Sequence, residues 1–193
     1  MLHSVAVYCS SSNQLRPSFY KDAFRLGELL AEAQMQLIYG DGGIGLMREV
    51  ASGALSRGGE VVGVIPQFMV NEGWNNPEST RTIIVQTMHE RKASIAYMAD
   101  AMVALPGGIG TLEELSECIT WKQLGLHVKP IVILNTDGFY DPLLRFFDHL
   151  VNERMMRDIH RSMFTVVSTP EEVIPALLNA PVWDKNIRRE AAI

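Results

Sequence analysis

Short apolar runs recur along the chain at residues 4–9, 35–39, 60–65, 81–86, 101–105, 129–134 and 164–167. Most are continuous rather than alternating, the pattern of strands buried on both faces. Helical spacing takes over between them. Residues 17–34 carry Phe19, Ala23, Leu26, Leu30 and Ala33 at that spacing, with Pro17 near the start. Residues 46–57, 88–99 and 112–124 read as further helices, the last stopping before Gly125. Residues 140–151 place Leu143, Leu144, Phe147 and Leu150 on one face. A final helix opens at Ser168-Thr169-Pro170-Glu171-Glu172, with a cap, a proline at N1 and acids in the first turn. Residues 66–79 have the composition of a long loop, and residues 181–193 read as a polar, poorly ordered tail. Strands alternating with helices predict an α/β fold: a doubly wound, mainly parallel sheet of about seven strands, flanked by helices, in one domain over residues 1–180.

Composition agrees with a globular protein. The chain has 193 residues, 47% hydrophobic and 20% charged, enough for one sizeable core. Its net charge of −5 favours neither a broad nucleic-acid surface nor an anionic membrane. Any phosphate must therefore be held by a local site. Cys9 and Cys118 lack metal-ligand spacing and read as reduced, buried residues. His89 has no second histidine or cysteine at ligand spacing, so no metal site is expected. There is no leader pattern at the start and no apolar run of membrane-spanning length, which makes the cytoplasm the expected location.

Four polar segments each follow a strand, at residues 10–13, 40–45, 88–92 and 106–114. In a doubly wound sheet they share the edge where ligands bind. The first is Ser10-Ser11-Ser12-Asn13, whose ordinary role is turn and capping chemistry. The second, Gly40-Asp41-Gly42-Gly43-Ile44-Gly45, matches the dinucleotide fingerprint in letters. It follows the second strand, however, and the next strand ends in Ile65-Pro66 where a ribose-binding acid belongs. A glycine-rich wall of a nucleotide pocket is the better reading, with Gly42 and Gly43 as pocket residues beside Ser10 and Ser11. Glu72, in the long loop, is a further pocket candidate.

Arg91 and Lys92 fall in the first turns of a helix, where the dipole opposes cations by roughly 0.3–1 kcal/mol each. Either both are exposed and Glu90 compensates, or an anion from elsewhere stabilises them. The fourth segment, Pro106-Gly-Gly-Ile-Gly-Thr-Leu-Glu-Glu114, links a strand to a helix through glycines. Unpaired N–H groups at such a helix start make an anion seat. Three acids follow. Leu112, Leu115 and Ile119 mark the buried stripe; Glu113 and Glu114 flank it and Glu117 points away. Glu114 neighbours Cys118 and Trp121, which favours it as a partly buried acid, but the helical wheel does not decide between Glu113 and Glu114. No Gly-Lys-Ser/Thr P-loop and no G-x-S-x-G elbow occurs.

The 106–114 segment together with Met88-His-Glu-Arg-Lys92 resembles the LOG (Lonely Guy) family of cytokinin riboside 5′-monophosphate phosphoribohydrolases, some of whose members carry the label "lysine decarboxylase". The hallmark P-G-G-x-G-T-x-x-E is met at every fixed position, with Glu114 as its final acid. The resemblance covers almost the whole chain. It implies a Rossmann-like homodimer that hydrolyses the N-glycosidic bond of a nucleoside 5′-monophosphate, with an N6-modified adenine as the expected base, and needs no cofactor or metal. By position, Arg91 and Glu114 become the catalytic pair. Lys92, Gly108, Ile109, Gly110, Thr111, Leu112, Glu113 and Thr120 fall at substrate and phosphate contacts. The chain departs from the family at Ser10, where glycine is usual, at Asp41, which interrupts a run of glycines, and around Glu72 and Trp74. These departures leave the hydrolytic core in place and the base preference open. A nucleotide- or cofactor-binding carrier of similar fold, such as a molybdenum-cofactor carrier, is the rival reading. Amino-acid decarboxylation has only the label behind it, since no lysine sits in a recognisable pyridoxal-phosphate context.

Overall fold

The computed structural model describes residues 2–184. Seven strands form one all-parallel sheet: β1 (Ser4–Tyr8), β2 (Gln36–Tyr39), β3 (Val61–Pro66), β4 (Arg81–Val85), β5 (Ala101–Ala104), β6 (Ile131–Leu134) and β7 (Thr165–Val167). Their spatial order is β4-β3-β2-β1-β5-β6-β7. The chain runs outward from β1 to β4, then crosses back to place β5 on the other side of β1. The two directions of winding part between β1 and β5, which opens a crevice at the carboxyl ends of those strands.

The helices are α1 (Pro17–Glu32), α2 (Gly45–Ser56), α3 (Gln67–Asn71), α4 (Met88–Met98), α5 (Ile109–Gln123), α6 (Asp141–Asn152) and α7 (Val173–Leu178). Alternate strand residues face opposite sides. Val5, Val7, Leu37, Tyr39 and Val103 pack under α1, α2 and α7, with Leu26, Leu30, Val50 and Leu177 completing that core. Ala6, Tyr8, Ile38, Val62, Val64 and Met102 form the other core with Ile95 of α4 and Leu115 and Ile119 of α5. Both faces of the central strands are therefore apolar, which is why they appear as unbroken runs in the sequence.

Three segments differ from the sequence reading. Gln67–Asn71, which reads as loop in the sequence, is a helix of five residues, too short to show a helical period. A 3₁₀ segment, Asp158–Met163, was not foreseen. The last helix is preceded by a 3₁₀ turn, Pro170–Glu172, where Glu172 accepts from the Ser168 and Thr169 N–H groups. Gly125 does close α5: at φ 66° it lets its own N–H reach Lys122 O and the Leu126 N–H reach Trp121 O.

The segment read as a tail also contributes to the core. Trp183 is buried, and its Nε1 donates to Lys122 O at 2.8 Å. Residues 185–193 lie outside the described residues. Beneath Trp183, Lys122 is 1% exposed; its Nζ donates to Lys129 O at 3.0 Å and lies 6.0 Å from the indole centroid. No carboxylate pairs with it among the described residues. Burial lowers this ammonium to about 8. A folded-state value below the unfolded one means that the charge costs the folded protein at neutral pH, on the order of 3 kcal/mol. That cost fades as pH rises from the folded toward the unfolded lysine value. Lys122→Met should thus raise stability near pH 7 by ~1–2 kcal/mol, the lost hydrogen bond taking back part of the gain. Thermal melts of both proteins near neutral pH and near pH 10 check this. A gap between variant and wild type that did not shrink at the higher pH would contradict it.

Candidate active site

Two loops cross at the mouth of the β1–β5 crevice. Ser10 N donates to Pro106 O at 3.2 Å, and Tyr140 OH donates to Leu105 O at 2.6 Å from below. These bonds fix the end of β5 and hence the start of α5. Three of the helices that begin on this edge start within the polar segments at 40–45, 88–92 and 106–114, and their first N–H groups are satisfied differently. At α2, Gly45 N donates to Asn13 Oδ1 at 3.0 Å, and Leu46 N and Met47 N share Ser10 O at 2.9 and 3.3 Å. The fingerprint-like turn is thus closed to a pyrophosphate by the chain itself. At α4, Thr87 accepts from Glu90 N at 3.1 Å, and the Glu90 carboxylate accepts from Gln86 N at 2.8 Å. At α5 no side chain caps the start: Gly108 holds the N-cap position, and the N–H groups of Ile109, Gly110 and Thr111 have no intrahelical acceptor. Of the three, α5 alone keeps an open anion seat.

A cavity of about 460 Å³ lies in front of that seat, a size suited to a nucleotide-sized ligand. Its walls come from all four segments: Ser10, Ser11 and Ser12; Gly40; Arg91; and Gly108, Ile109, Gly110, Thr111 and Glu114. Val7, Tyr8, Cys9, Met47 and Met69 complete it. An apolar annex of about 330 Å³, bounded by Gly42, Ile44, Met47, Ile65, Met69 and Trp74, shares Ser11, Gly40 and Arg91 with it.

Arg91 is buried, not exposed. Its Nη1 donates to Glu114 Oε1 at 2.9 Å, Nε to Val64 O at 3.1 Å and Nη2 to Gly40 O at 3.3 Å. Gly40 leaves room for the guanidinium: a Cβ there would stand 1.7 Å from Nη2. Lys92 is buried too, with Nζ 2.7 Å from Glu113 Oε1 and 3.3 Å from Glu117 Oε1. The anions that stabilise the two misplaced cations are therefore carboxylates of the neighbouring helix α5. Glu117 does not point away, as the helical wheel had it: the long Lys92 side chain reaches across to it.

The structure separates the two acids that the sequence left paired. Glu113 is 58% exposed on the Lys92 side, whereas the Glu114 side chain is 12% exposed and lines the cavity. Burial raises the Glu114 carboxyl above its ordinary value, and the Arg91 charge and hydrogen bond pull it only part of the way back. Burial also raises Tyr8 and Cys9, leaving both as neutral wall groups. Lys92, Leu112, Glu113 and Thr120 do not line the cavity; Thr120 is exposed, and its hydroxyl donates to Ser116 O at 2.7 Å. Gly43 lies on a separate small hollow beside Trp74, and Glu72 is exposed outside both spaces. The sequence reading missed Met47 and Met69. Met47 falls inside the 46–57 helix and Met69 inside the 66–79 segment that reads as loop, and neither carries a polar signal.

Among the described residues no group of three or more His, Cys, Asp or Glu could hold a metal ion. The arrangement offers a neutral, backbone-lined anion seat, a clamped guanidinium and a desolvated carboxylate on one cavity wall. Such a set can hold a phosphoryl group at one end and stabilise positive charge developing at the other.

Known proteins resemble the chain over most of its length. A family model described as "Possible lysine decarboxylase" matches residues 47–177. The chain is 42% identical over 189 residues to the cytokinin riboside 5′-monophosphate phosphoribohydrolase LOG of Oryza sativa subsp. japonica, covering 93% of this chain and 77% of that protein. It is 38% identical over 192 residues to the Arabidopsis thaliana phosphoribohydrolase LOG2, covering 93% and 89%. Among solved structures, the molybdenum cofactor carrier protein of Chlamydomonas reinhardtii superposes with a TM-score of 0.73 at 22% identity, covering 93% of this chain and 98% of the carrier. The molybdenum cofactor binding protein of Rippkaea orientalis gives 0.70 at 21%, covering 93% and 99%. The two carrier structures share the fold.

Proposed function

The chain belongs to the LOG family of cytokinin riboside 5′-monophosphate phosphoribohydrolases, and from that premise we propose that its cavity cleaves the N-glycosidic bond of a nucleoside 5′-monophosphate. The observation that carries the assignment is the Arg91–Glu114 pair, set on one wall of a cavity whose other end is the uncapped start of α5.

The geometry supports the following roles. The 5′-phosphate is seated on the N–H groups of residues 109–111 and fixes the ribose, so binding energy remote from the scissile bond is used for orientation. Cleavage moves the C1′–N bonding electrons onto the base, which takes up a proton, and water supplies the hydroxyl at C1′. Positive charge builds on the sugar along the way, as in other glycoside cleavages. Glu114, ionised, stabilises that charge or orients the water. Arg91 holds Glu114 in place and in its charged form. The base extends toward the annex between Ile44, Met69 and Trp74, where an N6 substituent on adenine finds apolar contacts. No step in this scheme calls for a metal or an organic cofactor.

Lys92, Glu113 and Thr120 lie on the α4–α5 side, outside the cavity. On the same pair of helices Tyr97 is 78% exposed and stacks on Trp121 at 6.2 Å. We assign this surface to a homodimer, in which those residues would approach substrate from the subunit boundary. Among the described residues no helix is long and apolar enough to cross a membrane, and the net charge is −5; we place the protein in the cytoplasm with a small-molecule substrate, not a nucleic acid or membrane.

The test is chromatographic. Purified protein should release free base from adenosine 5′-monophosphate or an N6-substituted analogue, and release it at least ~100-fold more slowly from the matching nucleoside, which lacks the phosphate anchor. Retention of a ligand without base release would favour the carrier reading. Equal rates on nucleotide and nucleoside would remove the phosphate seat from the account.

A further inference from the structure

Asp41 stands where the family's second turn usually carries glycine, and it is buried in the left-handed region at φ 56°. For a residue with a Cβ that conformation is strained, though aspartate and asparagine tolerate it better than most. Its carboxylate accepts from Ser79 Oγ at 2.6 Å and Thr82 Oγ1 at 3.1 Å, and its carbonyl accepts from Asn76 N at 2.8 Å. Tyr39 OH joins the same knot, 2.9 Å from Ser79 Oγ and 3.0 Å from Asn76 Nδ2. On β3, Gly63 leaves the notch that the carboxylate fills: a Cβ there would stand 1.8 Å from Asp41 Oδ1.

This knot ties two segments that chain connectivity leaves far apart. One is the 40–45 turn, whose Gly40 carbonyl receives Arg91 Nη2 and whose Gly43 N–H donates to Trp74 O at 3.0 Å. The other is the 72–79 loop, which carries Trp74 over the apolar annex. No other buried carboxylate anchors that loop among the described residues.

We propose that Asp41 is a positioning residue for base recognition: its buried carboxylate holds the 72–79 loop closed before substrate arrives, so that Trp74 already walls the annex. The inference rests on the reading of the cavity as a nucleoside monophosphate site. Without the clamp, substrate binds only the fraction of molecules whose loop is closed, and its apparent affinity falls by that fraction. Arg91 touches the turn through Gly40 O, but its bonds to Val64 O and Glu114 Oε1 lie outside the knot, so the bond-breaking step should change little.

Asp41→Gly suits the backbone conformation and removes the carboxylate. Ser79→Ala cuts the same link from the loop side without altering the turn. Asp41→Asn keeps an acceptor oxygen in a residue that tolerates the conformation. With an N6-substituted adenosine monophosphate as probe, Asp41→Gly should raise KM about tenfold while kcat stays within about twofold. Ser79→Ala should move the same way by less, and Asp41→Asn should stay near wild type. Hydrogen exchange gives a second readout that needs no catalysis: the Asn76 and Gly43 amides should exchange faster in Asp41→Gly. Unchanged exchange at both amides would overturn the clamp even if the wild-type protein turned over no nucleotide. Faster exchange with KM unchanged, or activity lost through kcat alone as in a partly unfolded population, would overturn its role in recognition.

Discussion

Glu114→Gln is expected to lower kcat/KM for base release by about a thousandfold, about 4 kcal/mol of transition-state stabilisation, while the protein stays folded. The amide keeps the shape of the carboxylate and can still accept from Arg91, so what it loses is the charge. Burial raises the Glu114 carboxyl, which means that ionising it costs the folded state. That cost is absent below the unfolded value and appears as pH rises through the folded one. The variant should therefore melt no lower than wild type near neutral pH, and the two should converge in acid. The same raised value places the acid limb of the wild-type rate profile above the ordinary glutamate value of about 4.3. Arg91→Ala should lose a comparable factor by another route. It leaves Glu114 buried without its cation, drives the carboxyl further toward the neutral form, and strips Val64 O and Gly40 O of a donor. It should also lose ~2–4 kcal/mol of stability, which denaturant titration would measure.

Gly40→Ala separates position from chemistry. The added methyl would collide with Arg91 Nη2, while Gly40 is not among the positive-φ glycines, so the backbone accepts alanine. The atom in the way is the end of a long side chain, and the inexpensive response is for the guanidinium to move. It can do so only by giving up bonds to Val64 O or Glu114 Oε1. Base release should fall ~100-fold or more, because a small displacement of a positioned group is enough for a loss of that order, with a loss of stability smaller than that of Arg91→Ala. A variant with full activity would show that the position of Arg91 does not matter, and a variant that fails to fold would show that Gly40 serves the sheet rather than the site.

Burial and element length decide which parts of the fold are legible in the sequence. Strands with both faces covered left unbroken apolar runs, and α1, half buried, left a clean helical period. Helix α3, five residues long, is too short to leave one. In the site, Arg91 and Lys92 could be picked out because their charges oppose the helix dipole. The choice between Glu113 and Glu114 could not be made from the wheel, since it depends on where β3 and the 40–45 turn hold Arg91. Glu117 was misjudged for a related reason: a helical wheel gives a direction, not the reach of a lysine on the next helix. The purpose of Asp41 was hidden because its partners, Ser79 and Thr82, lie 38 and 41 positions further along. Trp183 was taken for tail because an isolated aromatic after a proline carries no period, although its indole covers Lys122.

The central claim is that the bond broken is the one between ribose and base, with the phosphate serving as the handle. The most direct measurement is mass spectrometry of the products formed from an N6-substituted adenosine 5′-monophosphate by wild-type protein and by Glu114→Gln under the same conditions. The account predicts free base and ribose 5-phosphate in equal amounts from the wild type and almost none from the variant. Nucleoside and inorganic phosphate as products, or equal yields from both proteins, would contradict it.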